Sequence, residues 1–305
     1  MTKNLHHIIE SQQFNLPTLV ELFQRADSME RIVARGGTQD YRNKIMASLF
    51  YEPSTRTRFS FESAMLRLGG NVITTERAQE FSSVMRGETL EDTIRVVGNY
   101  CDVIVLRHDT VGGAQRAASA SIVPIINAGD GKGGQHPTQA LLDLYTIYKG
   151  LGSIDGVKVA MVGNLADGRT VRSLAYLLAK FDRVKIYFVA PPSLQMKQDM
   201  LDHLANHDVW YSLETDLSKV LPDIDVVYVT RIEPEKLPPQ EKQTSPYYLD
   251  QELVKRLPSR AMILHPLPRL NEIAAGIDND PRAAYFRQTK NGVLIRMALL
   301  ASVLD

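Results

Sequence analysis

The sequence predicts an α/β fold in two domains, each with a mostly parallel sheet flanked by helices. The chain has 305 residues, about twice the usual size of one domain. Short runs of β-forming residues alternate along it with helix-length amphipathic stretches, which is the pattern of βαβ units. Most of these runs are continuously apolar, as expected of parallel strands that are covered on both faces.

The individual elements follow from these runs and from the residues that start or stop them. The strand candidates are 44–50, 103–106, 123–127, 157–162, 185–189, 225–230 and 261–264. The helix candidates between them are 56–68, 89–100, 137–148, 169–180 and 249–257. Pro53 ends the first strand, and Ser54 or Thr55 can cap the helix that follows it. Pro137 suits the first position of its helix.

A glycine-rich turn over 150–156 separates the two predicted domains, because a fresh strand starts directly after it. From its sequence alone, the final apolar helix over 293–304 could pack on either half. Ligands of open α/β sheets bind beyond the carboxyl ends of the strands. The polar clusters that follow the predicted strands are therefore the candidate site residues.

Composition and charge exclude several classes of protein. Lys plus Arg and Asp plus Glu both number 35, so there is no net charge to attract nucleic acid or an anionic membrane in bulk. The single cysteine, Cys101, excludes an internal disulfide framework and a cysteine-built zinc site. No run is long and apolar enough to span a bilayer, and the first ten residues do not look like a signal peptide, so we expect a cytoplasmic protein. No acidic metal cage or glycine-rich dinucleotide fingerprint is present, so we expect neither a metal nor a cofactor.

The densest polar cluster, over 54–58, predicts an anion site. It follows a strand and opens a helix, whose positive end attracts phosphate. Arg56 and Arg58 add guanidinium groups that match phosphate oxygens in pairs. The alternative is a well-capped helix with solvent-facing arginines, but this density of donors favours anion binding.

Two further clusters follow strands in the first half. Arg107 ends a buried strand and carries little weight by itself. A glycine-rich loop delivers His136 directly before a helix, with Gln139 one turn further on. The imidazole could polarise a carbonyl group or stabilise an oxyanion. It could equally be a structural helix cap, and its position in the sequence alone does not decide between these interpretations.

The second half carries three clusters at strand ends. Gly163 and Gly168, followed by Arg169, nearly match the nucleotide P-loop, but arginine replaces its lysine and Asp167 opposes phosphate. A positive helix start that receives a carboxylate is the better interpretation. Arg231 follows another strand. In 265–268, His265 is more readily structural than catalytic, and the proline-rich backbone offers carbonyl acceptors.

Together these motifs resemble the carbamoyltransferase family over nearly the whole chain. The motifs are 54–58, 106–108, 136–139, 168–170, 230–231 and 265–268, in the family's order. The glycine-arginine-threonine motif after a strand and Pro266, where the ornithine branch has cysteine, indicate the aspartate branch.

The resemblance implies an enzyme of pyrimidine biosynthesis that needs no cofactor. It would transfer the carbamoyl group of carbamoyl phosphate to the α-amine of L-aspartate, giving N-carbamoyl-L-aspartate and phosphate. The implied carbamoyl phosphate ligands are Ser54, Thr55, Arg56 and Thr57 for phosphate, Arg107, His136 and Thr57 for the carbonyl oxygen, and Gln139 with the Leu267 and Pro268 backbone for the amino group. The implied aspartate ligands are Arg86, Arg169, Arg231 and Glu233. Arg56, Thr57, Arg107 and His136 would be catalytic.

The resemblance also implies a domain layout and an assembly. We predict a carbamoyl-phosphate-binding domain over 1–149, with the C-terminal helix 285–305 packing back on it, and an aspartate-binding domain over 150–284. The active site would lie in the cleft between them. The assembly would be a homotrimer in which Ser82 and Arg86 reach the site of the neighbouring chain, and regulatory chains are a further partner to consider.

Four positions depart from the family pattern. Arg86 replaces a lysine, Glu233 replaces a glutamine, and Asn164 and Asn271 replace aspartates. Arg86 and Glu233 fall where the resemblance implies aspartate binding. Two alternatives therefore stay open: a carbamoyltransferase for another amine, and a catalytically weak member that binds carbamoyl phosphate.

Overall fold

Nine strands and the helices between them alternate along the part of the chain that the computed structural model describes, namely residues 5–76, 87–232, 237–238 and 247–305. The strands are β1 (Ile45–Phe50), β2 (Asn71–Glu76), β3 (Val103–His108), β4 (Ile125–Asp130), β5 (Lys158–Val162), β6 (Lys185–Val189), β7 (Trp210–Glu214), β8 (Val226–Val229) and β9 (Met262–Leu264). The helices are α1 (Leu16–Ala34), α2 (Thr55–Arg67), α3 (Leu90–Gly98), α4 (Gly113–Ala120), α5 (Pro137–Leu151), α6 (Arg169–Leu178), α7 (Gln198–Ala205), α8 (Leu217–Val220), α9 (Gln251–Val254) and α10 (Tyr285–Leu304). The α/β class predicted from the sequence is confirmed.

The chain divides into two structural units. Unit 1 comprises Met1–Leu142 and Lys290–Asp305, and unit 2 comprises Asp143–Thr289. This division falls inside α5 and α10, whereas the domain limits expected from the sequence follow a turn and a helix start. None of the described helices is long and apolar enough to cross a membrane.

Unit 1 is built on a four-stranded sheet in the order β2-β1-β3-β4, with every pair parallel. The register places Phe50 opposite Arg107 and Leu106 opposite Asn127. The carboxyl ends of β1, β3 and β4 therefore meet at one edge. One core cluster covers a face of the sheet, with Ile94 of α3 and Ala117 of α4 packed on the strands.

Unit 2 is built on a five-stranded sheet in the order β7-β6-β5-β8-β9, again with every pair parallel. Val162 at the end of β5 is opposite Val189 of β6 and Val229 of β8. The strands β5 and β8 are buried along most of their length, so burial of continuous apolar runs stabilises the centre of the sheet.

All seven predicted strands are present, but the sequence missed β2 and β7. Both are edge strands with mostly exposed or half-buried residues, so neither carries a continuous apolar run. The predicted helix over 249–257 is shorter than expected. It spans only Gln251–Val254, with Asp250 as its N-cap and Lys255 as its C-cap. The helices α1, α4, α7 and α8 were not predicted.

Candidate active site

The first turn of α2 presents the densest group of donors in unit 1. Ser54 is the N-cap, and its side chain makes no capping hydrogen bond. Thr55 and Arg56 are exposed, whereas Thr57 is buried. The first backbone N–H groups of a helix have no partner within it, so this turn joins amide, hydroxyl and guanidinium donors at a positive helix end. The turn is suited to a small anion.

Arg56 is available for that anion, since no carboxylate pairs with it in the described part of the chain. Desolvation lowers the pKa of its guanidinium, which remains charged at neutral pH because arginine starts from so high a value. Arg58 is committed elsewhere. Its Nη1 donates to Glu76 Oε2 at 2.8 Å, and its Nε lies 3.3 Å from Glu62 Oε1.

Glu76, at the end of β2, fixes this turn from the side. Its Oε1 accepts a hydrogen bond of 3.2 Å from the backbone N–H of Ser54, while its Oε2 holds Arg58. Sequence reasoning missed this residue, because β2 itself carries no apolar run. The signal would have been a carboxylate at the end of a strand beside a basic turn.

Arg107, the second candidate, is held rigidly at the end of β3. Its side chain is buried, its Nη2 donates to Glu52 Oε2 at 2.8 Å, and its Nη1 donates to the carbonyl oxygen of Ala128 at 3.2 Å. The backbone carbonyl of Arg107 accepts from the N–H of Tyr51 at 2.9 Å. The guanidinium is thus fixed by the segment after β1 and by β4, and Glu52 is a second residue that the sequence did not single out.

The loop between β4 and α5 is organised by Asp130. Its Oδ2 accepts from the N–H of Gly112 at 3.0 Å and its Oδ1 from the N–H of Gln135 at 2.8 Å. A Cβ atom on Gly134 would lie 1.9 Å from the carbonyl oxygen of Asp130, so only glycine allows this tight approach. These contacts hold the loop, which ends on His136.

His136 is buried and directly precedes α5. Its carbonyl accepts from the N–H groups of Gln139 and Ala140, so Pro137 is the first helical residue, as expected. Gln139 is buried in the first turn. The parallel register brings the segments that carry 54–57, Arg107 and His136 to the same edge of the sheet of unit 1.

In unit 2, the turn after β5 lies directly against the end of β8. Gly163 has a φ of +130°, and a Cβ there would lie 2.2 Å from Thr230 Oγ1. The N–H of Thr230 donates to Val162 O at 2.7 Å, and that of Asn164 donates to Arg231 O at 3.2 Å. This contact aligns the two predicted arginine sites, because Arg169 begins α6 and Arg231 follows β8.

These two arginines differ in surroundings. Arg169 is half-buried in the first turn of α6, and Arg231 is exposed. Asp167, which opposes phosphate binding in this turn, lies 3.2 Å from Lys197. Two guanidinium groups beside a helix start can bind two carboxylates. Asn164 Oδ1 accepts from the N–H of Asp167 at 3.2 Å and so shapes the same turn.

The turn after β9 is fixed by the ring and backbone of His265. The ring nitrogen Nδ1 accepts from the N–H of Leu267 at 2.8 Å, and the backbone N–H of His265 donates to Gln288 Oε1 at 3.1 Å. Leu267 has a φ of 55°, and the Leu267–Pro268 peptide bond is cis. The imidazole thus acts within the turn, in line with the structural role favoured for it.

Three predicted site residues, Ser82, Arg86 and Glu233, lie outside the described residues. Asn271 is exposed. Within the described ranges, no group of three or more His, Cys, Asp or Glu side chains is arranged to hold a metal ion.

Comparison with known proteins matches two family models to consecutive parts of the chain. The family model for the aspartate/ornithine carbamoyltransferase carbamoyl-P binding domain matches residues 6–149, and that for the Asp/Orn binding domain matches residues 155–303. Aspartate carbamoyltransferase 1, chloroplastic, of Pisum sativum is 55% identical over 305 residues, with 98% of this chain and 79% of that protein covered.

Solved structures agree. The catalytic subunit of the Methanocaldococcus jannaschii aspartate transcarbamoylase has a TM-score of 0.92 at 44% identity, covering 98% of both chains. The Trypanosoma cruzi aspartate transcarbamoylase in complex with carbamoyl phosphate and aspartate has a TM-score of 0.90 at 40% identity, covering 98% of this chain and 96% of that one. Both family models match in chain order and the likeness runs almost end to end, so this chain belongs to the aspartate/ornithine carbamoyltransferase family.

Proposed function

We propose that the chain transfers the carbamoyl group of carbamoyl phosphate to the α-amine of L-aspartate, giving N-carbamoyl-L-aspartate and phosphate in pyrimidine biosynthesis. The observation that carries the proposal is the edge of the unit 1 sheet. There the donor-rich turn of α2, the buried guanidinium of Arg107 and the imidazole of His136 follow neighbouring parallel strands. Relatives named for this activity support it.

In unit 1, the residues divide by the part of carbamoyl phosphate that they would contact. Ser54, Thr55, Arg56 and Thr57 bind the phosphate at the start of α2, where amide, hydroxyl and guanidinium donors occur together. Arg107, His136 and Thr57 donate to the carbonyl oxygen, and Gln139 accepts from the amino group. Arg107 suits an oxyanion site because Glu52 and Ala128 already fix its orientation.

In unit 2, Arg169 and Arg231 bind the two carboxylates of aspartate, and the carbonyl groups of Leu267 and Pro268 accept from the carbamoyl amino group. The tight contact at Gly163 supports the first assignment, because it sets the two arginine-bearing segments side by side. The hydrogen bond of His265 to Leu267 supports the second, because it fixes the turn. Arg86 and Glu233 complete the aspartate site in this proposal.

The chemical step needs no cofactor. The neutral α-amine of aspartate attacks the carbonyl carbon and forms the new C–N bond, while negative charge grows on the carbonyl oxygen. Arg56, Arg107 and His136 stabilise that charge. The bond to the phosphate oxygen then breaks, and the departing phosphate accepts the amine proton. Holding both reactants in place supplies much of the rate gain.

The test is a carbamoyl-aspartate assay with purified chain, carbamoyl phosphate and L-aspartate. We expect Arg56→Ala and His136→Ala each to lower kcat roughly 100-fold or more, because each removes a donor to developing charge. The control is Arg35→Ala, which removes an exposed arginine at the end of α1. It should keep full activity. All variants should unfold at the wild-type temperature to within a few degrees.

Other outcomes separate the alternatives. Full activity in Arg56→Ala contradicts the site assignment. Turnover with another amino acid in place of aspartate identifies a different amine substrate, and the double variant Arg86→Lys, Glu233→Gln should then regain aspartate. Calorimetric binding of carbamoyl phosphate without any turnover identifies a non-catalytic member.

We further propose that the chain forms a homotrimer with shared sites, in which Ser82 and Arg86 enter the neighbouring site. An exposed apolar patch supports an interface in unit 1: Phe59 is 55% exposed and Leu66 60% exposed, and both line a surface groove on α2. Regulatory chains as partners are suggested by the catalytic-subunit name of the M. jannaschii protein. The cytoplasmic location stays a prediction, and cell fractionation would check it.

A further inference from the structure

A buried network of hydrogen-bonded polar side chains lies in unit 2. Tyr228 Oη donates to Asp143 Oδ2 at 2.7 Å, and Gln288 Nε2 donates to Asp143 Oδ1 at 2.5 Å. The relative exposure of these three residues is 0%, 0% and 1%. Polar groups taken out of water at this depth cost stability unless every bond is made, so the arrangement is specific.

Both ends of this network contact segments that bind substrate in the proposed function. At one end, the side chain of Thr170 is hydrogen-bonded to Tyr228, and Thr170 follows Arg169 in the first turn of α6. The N-cap of that helix is Gly168, which supplies no capping side chain. The bond between Thr170 and Tyr228 is therefore a side-chain tie on the turn that carries Arg169.

At the other end, Gln288 Oε1 accepts from the backbone N–H of His265. The ring of His265 in turn accepts from the N–H of Leu267. The position of the Leu267 and Pro268 carbonyl groups thus depends on Gln288 through two successive hydrogen bonds.

Hydrogen-bond donors and acceptors are matched along the network. Because the Gln288 carbonyl is used by His265, its amide nitrogen must face Asp143, which leaves the other carboxylate oxygen for Tyr228. Burial, followed by the nearby Asp143, raises the pKa of the Tyr228 hydroxyl well above its usual value, so it stays protonated as a donor. The direction of each hydrogen bond from Tyr228 to His265 is therefore set.

We propose that Tyr228, Asp143 and Gln288 are positioning residues that hold the aspartate-binding turn of α6 and the carbamoyl-binding turn after β9 in register within unit 2. None of the three touches a substrate. This inference rests on the proposed function. It predicts that a substitution at one end of the network changes mainly the KM for aspartate, and one at the other end mainly the KM for carbamoyl phosphate.

The experiment measures both KM values, kcat and the unfolding temperature for Tyr228→Phe and Gln288→Met. Tyr228→Phe loses the hydrogen bonds to Thr170 and to Asp143. Because only the bond to Thr170 reaches the aspartate-binding turn, the KM for aspartate should rise roughly three- to tenfold, with the KM for carbamoyl phosphate within about twofold. Gln288→Met frees the His265 N–H and should raise the KM for carbamoyl phosphate by the larger factor.

The matched control is Tyr187→Phe, which removes another tyrosine–aspartate hydrogen bond of unit 2, the 3.2 Å contact with Asp223. It should leave both KM values unchanged. Equal changes of both KM values in Tyr228→Phe, or changes no larger than in the control, overturn the inference while the proposed function stands. An inactive wild-type chain overturns both. If Gln288→Met does not fold, Tyr228→Phe decides through the aspartate KM.

Discussion

Glu52 illustrates, at the scale of a single residue, how the proposed site depends on a residue outside the proposed set of substrate ligands. Its Oε2 accepts from Arg107 Nη2 at 2.8 Å, and the carbonyl oxygen of Ala128 accepts from Nη1 of the same buried guanidinium. Without the charge of Glu52, the Arg107 guanidinium gains freedom to turn away from the carbonyl oxygen that we propose it binds. The guanidinium then has to be oriented again as the transition state forms, which raises the barrier.

We therefore expect Glu52→Gln to lower kcat roughly tenfold, since a charge-assisted bond becomes a neutral one. Steady-state kinetics of carbamoyl-aspartate formation would measure this. The matched control is Glu91→Gln, which weakens the 2.8 Å pair between Glu91 and Arg116 elsewhere in unit 1, with a carboxylate of similar exposure. A loss of the same size in the control would contradict a role for Glu52 in the site.

Among the elements, the turn from β5 to α6 depends most on one glycine. Gly163 combines a φ of +130° with an approach that leaves a Cβ only 2.2 Å from Thr230 Oγ1 and 2.6 Å from Thr230 O. The backbone conformation disfavours any other residue, and the lack of space adds overlap with β8.

Gly163→Ala should accordingly lower the free energy of unfolding by about 3 kcal/mol or more, as strain and overpacking add. Gly156→Ala is the comparison, because Gly156 also has a positive φ, +77°, but open space around it. It should cost only about 1 kcal/mol. Urea unfolding of both variants measures the difference. Equal losses would mean that the contact with Thr230 relaxes at no cost.

For the whole molecule, the proposed assembly can be broken at the apolar patch of α2. We expect sedimentation to give about three times the chain mass of 34.2 kDa. Leu66→Glu should release single chains and abolish turnover, because Arg86 could no longer reach a neighbouring site. Leu213→Glu, the same change at an exposed leucine of β7, should leave the mass unchanged.

Mixing two inactive variants gives an independent check on shared sites. Arg56→Ala and Arg86→Ala chains, unfolded and refolded together, should recover part of the activity. In a mixed trimer, some sites combine the Arg56 of an Arg86→Ala chain with the Arg86 of a neighbouring Arg56→Ala chain. A trimer whose mixed chains stay inactive would mean that Arg86 acts within its own chain or not at all. A wild-type chain that sediments as a monomer would contradict the assembly itself.

The sequence was sufficient for the central elements and for the donors at their ends. The strands β3, β5 and β8 are apolar runs because both faces are covered, and that burial is written in consecutive residues. The edge strands β2 and β7 were missed for the opposite reason. They face solvent in part, so hydrogen bonding to a neighbour, rather than their own pattern, makes them strands.

By itself, the sequence predicted the fold class, the alternation of strands and helices along the chain and the candidate positions Arg56, Arg107, His136 and Arg169, since each follows a strand or starts a helix. Only the tertiary structure decided which groups hold them. Glu52 meets Arg107 and Gln288 meets Asp143 across 55 and 145 residues of chain. No local period encodes such pairs, because the register of parallel strands and the packing of distant helices bring them together.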